Sequence, residues 1–280
     1  MSYGDIAKKP NDLLNRDFFH LAPAALSVKT KADNGVTFTV SGKSSPKDGS
    51  ISGNLEAKYV DSKTGVTLTQ GWTTANSIST KFELPAFVPS LKTDFATTFL
   101  PSAGTKGAVV TLNYRQFPVV SKVVVDLLKG PTFAADFAFA KAGAIAGGEV
   151  NYDVPAGSVK NYTAAVGYGA GTYALFVSAA SKLSVFSAGY YTKPSPQVEV
   201  AAKATWDSKS TAVVGFELGT KYTIDADTSA KIKIANSGLV SLSYLQTIHP
   251  GVKLGLGAAV DTQRLNEPAH KLGLSFSFEA

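Results

Sequence analysis

From Ala25 almost to the end of the chain, apolar and polar side chains alternate with a period of two. That period excludes a helical reading and defines strands with one dry and one wet face. In Ile51–Val60 the positions Ile51, Gly53, Leu55, Ala57 and Tyr59 are apolar or slim, while Ser52, Asn54, Glu56 and Lys58 are polar. Asp61-Ser62-Lys63-Thr64-Gly65 turns the chain, and Val66, Leu68 and Trp72 then alternate with Thr67 and Thr69, so the pair reads as a hairpin. Asn34-Gly35 is a second hairpin turn, between Leu26 and Val28 on one side and Val36, Phe38 and Val40 on the other.

The pattern continues through 78–84, 91–99, 108–115, 122–127, 133–139, 150–154, 162–168, 173–177, 183–191, 198–206, 212–218, 230–234, 240–244, 252–260 and 272–278, with turns such as Lys193-Pro194-Ser195-Pro196 and Asn236-Ser237-Gly238 between runs. These runs number about nineteen, and dividing the chain by about 13 residues per strand and turn gives a similar figure. No linker or shift of composition interrupts them, so residues 24–280 are expected to form one β domain, with 1–23 as a separate helical segment.

Soluble sandwiches alternate too. Three features favour a membrane barrel. The runs are long where sandwich strands average about five or six residues; they are too many for one sandwich; and Tyr59, Trp72, Tyr114, Tyr168, Tyr191, Trp206 and Tyr244 stand near run ends, where aromatic rings settle at a bilayer interface. No window approaches the roughly 18 uncharged apolar residues of a helical span, since Lys122 and Asp126 interrupt 117–128 and Asp136 and Lys141 interrupt 133–148.

The net charge of +6 comes from scattered cations without a basic block, which argues against nucleic acid as a partner. Cysteine is absent, so disulfides, thiolate metal sites and a cysteine nucleophile are excluded. His20, His249 and His270 lie far apart without ligand or triad spacing and read as surface or turn residues; the glycine-rich 143–148 has no Gly-Lys-Ser/Thr. No enzyme, metal or cofactor is expected. The first residues lack the apolar core of a secretory leader.

At the amino end, Asn11 and Asp12 suit a helix start, and Leu13, Leu14 and Phe18 share a face opposite Asn15, Arg16 and Asp17. One amphipathic helix, broken near Pro10, is expected.

If the apolar faces meet lipid, the polar faces enclose an aqueous pore too wide for side chains to fill. Its expected lining is Lys29, Lys31, Lys43, Lys58, Lys81, Lys92, Arg115, Lys122, Lys203, Lys231, Lys233 and Lys253, with Glu56, Glu83, Asp94, Asp126, Glu149, Glu199 and Glu217. Cations outnumber anions, so hydrated solutes should pass with a weak preference for anions. Gln70 places a neutral amide on the lipid side, where a charge would cost more.

Several segments carry a resemblance to the eukaryotic mitochondrial porins, the voltage-dependent anion channels, above all their fungal members. These are Asn11-Asp12-Leu13-Leu14-Asn15-Arg16-Asp17-Phe18; Leu68-Thr69-Gln70-Gly71-Trp72; Tyr222-Thr223-Ile224-Asp225-Ala226-Asp227 leading to Asn236-Ser237-Gly238-Leu239; His249-Pro250-Gly251-Val252-Lys253-Leu254; and His270-Lys271-Leu272-Gly273-Leu274-Ser275-Phe276. The resemblance implies a barrel of nineteen strands, which is the known number for the mitochondrial channel and not a value that the run count fixes. It further implies parallel first and last strands and a helix inside the pore, where Asp12, Leu13, Leu14, Arg16, Asp17 and Phe18 take part in gating. It implies passage of ATP, ADP and small anions across the mitochondrial outer membrane, partial closure under voltage, and an import signal formed by Lys271, Gly273, Leu274, Phe276 and Phe278.

Membrane lipid and permeant nucleotides are the partners implied, and self-association as a homo-oligomer is left open. Animal members carry a membrane-facing glutamate where this chain has Gln70, so the kinase docking and calcium sensitivity linked to that acid are not carried over. Their Gly-Leu-Lys triplet, linked to nucleotide contact, reads Ser90-Leu91-Lys92 here. A related barrel that imports polypeptides and a soluble β-rich binding protein are the alternatives.

Overall fold

The computed structural model describes residues 2–46, 48–128, 130–210, 214–267 and 269–280, leaving aside the side chain of Phe87. Among them are nineteen strands: β1 (Ala24–Lys31), β2 (Thr37–Ser44), β3 (Ile51–Val60), β4 (Thr67–Thr73), β5 (Ile78–Val88), β6 (Leu91–Leu100), β7 (Thr105–Gln116), β8 (Val119–Asp126), β9 (Thr132–Lys141), β10 (Ala144–Asp153), β11 (Ser158–Ala170), β12 (Tyr173–Ala180), β13 (Val185–Thr192), β14 (Val198–Asp207), β15 (Gly215–Thr223), β16 (Thr228–Ala235), β17 (Leu239–His249), β18 (Val252–Asp261) and β19 (Lys271–Glu279). The run expected over 212–218 begins outside the described residues, and its described part is β15.

Each strand pairs antiparallel with the next, and β1 closes on β19 in parallel, from Ala24 opposite Leu274 to Lys29 opposite Glu279. The parallel pair follows from the count: in an up-and-down meander an odd total leaves the first and last strands running the same way. Closure gives every strand two neighbours, so no row of backbone N–H and C=O groups is left open to hydrocarbon. No helix among the described residues is long and apolar enough to cross a membrane.

Because cross-strand partners share a face, the registers sort the side chains into two surfaces. One outward row runs Tyr222, Ala230, Tyr244, Leu256, Leu274 across β15 to β19. Leu26, Val40, Trp72, Val166 and Val177 are each at least half exposed, which would be a severe liability in water but fits contact with lipid. Gln70 lies on this surface, between Ala57 and Thr80 and exposed.

Packed apolar residues lie inside the barrel, where residues 2–23 follow the wall. The chain starts with a 3-10 turn, Tyr3–Asp5, in which the Ser2 backbone N–H donates to Asp5 Oδ2 at 2.7 Å. That bond holds the Asp5 carboxyl below the ordinary carboxylate range. Helix α1 (Lys8–Asn15) comes next, and a second 3-10 turn, Phe19–Leu21, leads into β1. The break expected near Pro10 is not there. Pro10 is the third residue of α1, in the first turn, where a missing N–H loses no helical bond. The interruption lies instead between the first 3-10 turn and α1.

Phe18 does not share the helix face expected for it either. Arg16 is already extended, φ −90° and ψ 148°, and Asp17 is left-handed, φ 61°, so the helical register ends before Phe18, which is buried by other contacts. Tyr191, expected in the aromatic girdle, faces inward and is buried against Leu13, Ala174 and Ala201. A terminal position on a strand does not say which face a ring occupies.

Candidate pore lumen and its amino-terminal segment

The amino-terminal segment runs round the inner wall. Its first 3-10 turn packs on β9 and β10, α1 on β13, β14 and β15, and the second 3-10 turn on β17, β18 and β19. Ile6 enters an apolar patch of Ala138, Ala140, Ile145, Ala165 and Phe176, and Leu13 and Leu14 meet Ala174, Tyr191 and Ala201. The inner face is therefore not uniformly polar as expected. It is apolar where it receives the segment, because Ile6 and Leu14 must leave water on the side that the wall offers.

Glycines make room for this approach. A Cβ on Gly167 would lie 2.9 Å from the Ile6 side chain, and one on Gly219 would lie 2.8 Å from Leu14 and 3.1 Å from Leu13. At Gly255, Gly257 and Gly273 it would run into Phe19 or His20, largely into their backbone. The lumen-facing glycines were the sequence signal for this track. They read as slim strand positions because nothing local distinguishes them.

Polar contacts add to the docking. Lys231 Nζ donates to Asp17 Oδ2 at 2.8 Å and to the Arg16 carbonyl at 3.2 Å, and its side chain is only 9% exposed. Ser243 Oγ donates to the Asp17 carbonyl, Lys203 Nζ donates to Asn11 Oδ1 at 3.1 Å, and the Tyr3 hydroxyl bonds Thr163 Oγ1 at 2.6 Å. Lys9 bonds the Gly171 carbonyl at 3.2 Å and stands 5.7 Å from the Tyr191 ring centre. Asp12 and Arg16 are exposed partners 3.9 Å apart.

The nineteen charges expected along the pore fall on the face that carries these contacts. The register links Lys31, Thr37 and Lys58; Lys29, Thr39 and Glu56; and Asn113, Lys122, Asp136 and Glu149. Lys43 faces Ser52, Glu83 faces Asp94, Lys81 faces Thr69, Lys92 faces Asn113, Asp126 faces Val109 and Lys253 faces Ser277. Arg115 lies two residues beyond Asn113 on the same face.

Neutralisation differs round the wall. On the helix side, Lys231 has Asp17, Lys233 has Glu217 at 3.2 Å, and Glu199 accepts from Tyr191 and lies 3.9 Å from both Lys193 and Lys221. Elsewhere Lys29 pairs with Glu279 and Lys81 with Glu83. Lys31, Lys43, Lys58, Lys92, Arg115, Lys122, Lys203, Lys253 and Lys271 have no carboxylate at ion-pair distance among the described residues, and six of these nine lie on β1 to β8. Sequence reading missed Asp136 and Lys221, which share this face and were visible as polar positions in alternating runs.

His20 corrects a further expectation. It is 7% exposed, with its ring 6.0 Å from Phe18 in an edge-on arrangement, while His249 and His270 are exposed. Burial, together with Lys233 and Lys271, moves the His20 pKa below the ordinary histidine value. Of the residues expected to form the import signal, Leu274, Phe276 and Phe278 share the outward face, whereas Lys271 and Gly273 face inward. Ser90, in the place of the family glycine, has φ 70° in the turn from β5 to β6, a conformation that glycine adopts freely.

A closed barrel with a greasy exterior, a charged interior and an internal amino-terminal segment defines a membrane-spanning β-barrel pore. The chain belongs to the eukaryotic porin family, whose family model matches residues 1–273. It is 50% identical over 280 residues to the mitochondrial outer membrane protein porin of Candida albicans, covering 100% of this chain and 99% of that protein. It is 44% identical to the protein of the same name from Neurospora crassa, with the same coverage. Identity to the non-selective voltage-gated ion channel 1 of Saccharomyces cerevisiae is 39%, over 99% of this chain and 98% of that one.

Proposed function

We propose that this porin is a voltage-gated, weakly anion-selective pore of the mitochondrial outer membrane, passing ATP, ADP and small anionic metabolites. The observation that carries the reading is the uneven neutralisation of the lumen: nine inward cations without an ion-pair partner among the described residues, six of them on β1 to β8, away from α1. Phosphate-bearing solutes are drawn to that wall, while screening at a Debye length of about 8 Å leaves the axis nearly neutral and the preference weak. The outer-membrane and voltage-gated names of the relatives support the location and the gating.

Residues 1–23 act as the gating segment and 24–280 as the conduit. Asp12, Leu13, Leu14, Arg16, Asp17 and Phe18 set how firmly the segment lies against the wall. Lys271, Gly273, Leu274, Phe276 and Phe278 serve as the import signal. Membrane lipid is the surrounding partner and nucleotides are permeants; Gln70 in place of an acid gives no support to docking of a cytosolic kinase.

Reversal potentials of single channels in a salt gradient test the reading. Anion preference is expected, and it should fall more in Lys58→Gln/Lys92→Gln than in Lys233→Gln/Glu217→Gln, which removes both members of an ion pair and leaves the net charge of the lumen unchanged. Absence of conductance, or equal loss in the two pairs, would overturn it.

A further inference from the structure

We propose that His20 is an acid-sensitive latch that holds the amino-terminal segment against the wall only while its imidazole is neutral. The second 3-10 turn lies so close over Gly255, Gly257 and Gly273 that no side chain fits between turn and wall. His20 is thereby held in place with Nδ1 buried and unbonded among the described residues. The groups around it leave a positive charge uncompensated. From β16 comes Lys233, which Glu217 already engages; from β19 comes Lys271, and from the residue before it His270, which lines the hollow beside His20 and bonds the Leu265 carbonyl at 3.2 Å; β17 presents Ser241 and Ser243 on the inner face beneath the turn. From β18 comes Asp261, which lines the same hollow of about 540 Å³ but is held by Arg264 at 2.9 Å. On the segment itself the nearest acid, Asp17, is bonded to Lys231.

A proton on His20 therefore adds a third cation beside two lysines, with its Nδ1 buried and no carboxylate free to pair with it among the described residues. Released into the lumen, the same imidazole regains an ordinary pKa of about 6.5. Since the docked pKa is the lower one, docking is at full strength above the released value and is lost as pH falls toward the docked value. Between the two, the ratio of released to docked segment rises by up to about tenfold for each unit of pH.

The chain lacks cysteine, so Leu21→Cys, at a position 66% exposed on the second 3-10 turn, can carry a single nitroxide label on the full-length protein in liposomes. Label mobility is expected to rise between about pH 7.5 and about pH 5, and to stay constant when His20→Gln is added. A parent signal without pH dependence, or equal dependence with His20→Gln, overturns the latch. Should that variant fail to fold, Lys271→Met must shrink the response, because it removes one of the flanking cations; an unchanged response overturns the latch as well. The consequence for gating rests on the pore reading above, but the spectroscopic readout does not depend on conductance.

Discussion

At the scale of single residues, what holds the segment inside the barrel is close packing against small wall residues. Leu14 is fully buried, so Leu14→Ala should weaken docking by about 2–5 kcal/mol, seen as faster proteolysis of the amino end while the β-sheet circular dichroism is unchanged. Gly257→Val should displace the second 3-10 turn altogether, since Phe19 and His20 backbone already fill the space. Asp17→Asn leaves Lys231 buried beside a neutral amide and should cost about 1–3 kcal/mol of docking by the same assay. Ser90 makes the opposite case. Replacing it by glycine removes a left-handed strain of about 1 kcal/mol and should raise the thermal midpoint of the barrel in detergent.

At the scale of elements, the strands and the segment obtain their stability differently. A strand is held by two ladders, and β19 has one antiparallel ladder to β18 and one parallel ladder to β1. The segment has no ladder at all and depends on Ile6, Leu13, Leu14 and a few polar contacts. Removal of residues 2–18 should leave β content and heat stability nearly unchanged while altering voltage-driven closure, as recorded in planar bilayers. The strands were legible in the sequence because period two in a sheet with one wet and one greasy face leaves few alternatives. The segment was read less well. Helix α1 was visible in Leu13 and Leu14, but the extended Arg16 and left-handed Asp17 end its register before Phe18, and a two-residue break of that kind has no periodic signature.

At the scale of the whole molecule, a lumen ringed by unequally neutralised charges makes selectivity a property of ionic strength. The anion preference should shrink steeply between about 0.1 M and about 1 M salt, as the Debye length falls from about 10 Å to about 3 Å, and reversal potentials at fixed gradient ratio measure it directly. The identities of most lumen charges were readable, since alternation assigns a face to every residue of a run. Their partners were not: Lys231 with Asp17 and Lys203 with Asn11 join positions some two hundred residues apart. The sequence by itself determined that these strands present a greasy face and a wet face and that the amino end can form a short amphipathic helix, because both follow from local spacing. Only the tertiary structure decided which wall the segment lies on, why glycines stand beneath it, which lysines are neutralised and why His20 is buried. Those depend on contacts made after the barrel closes, between residues whose distance along the chain carries no information about their distance in space.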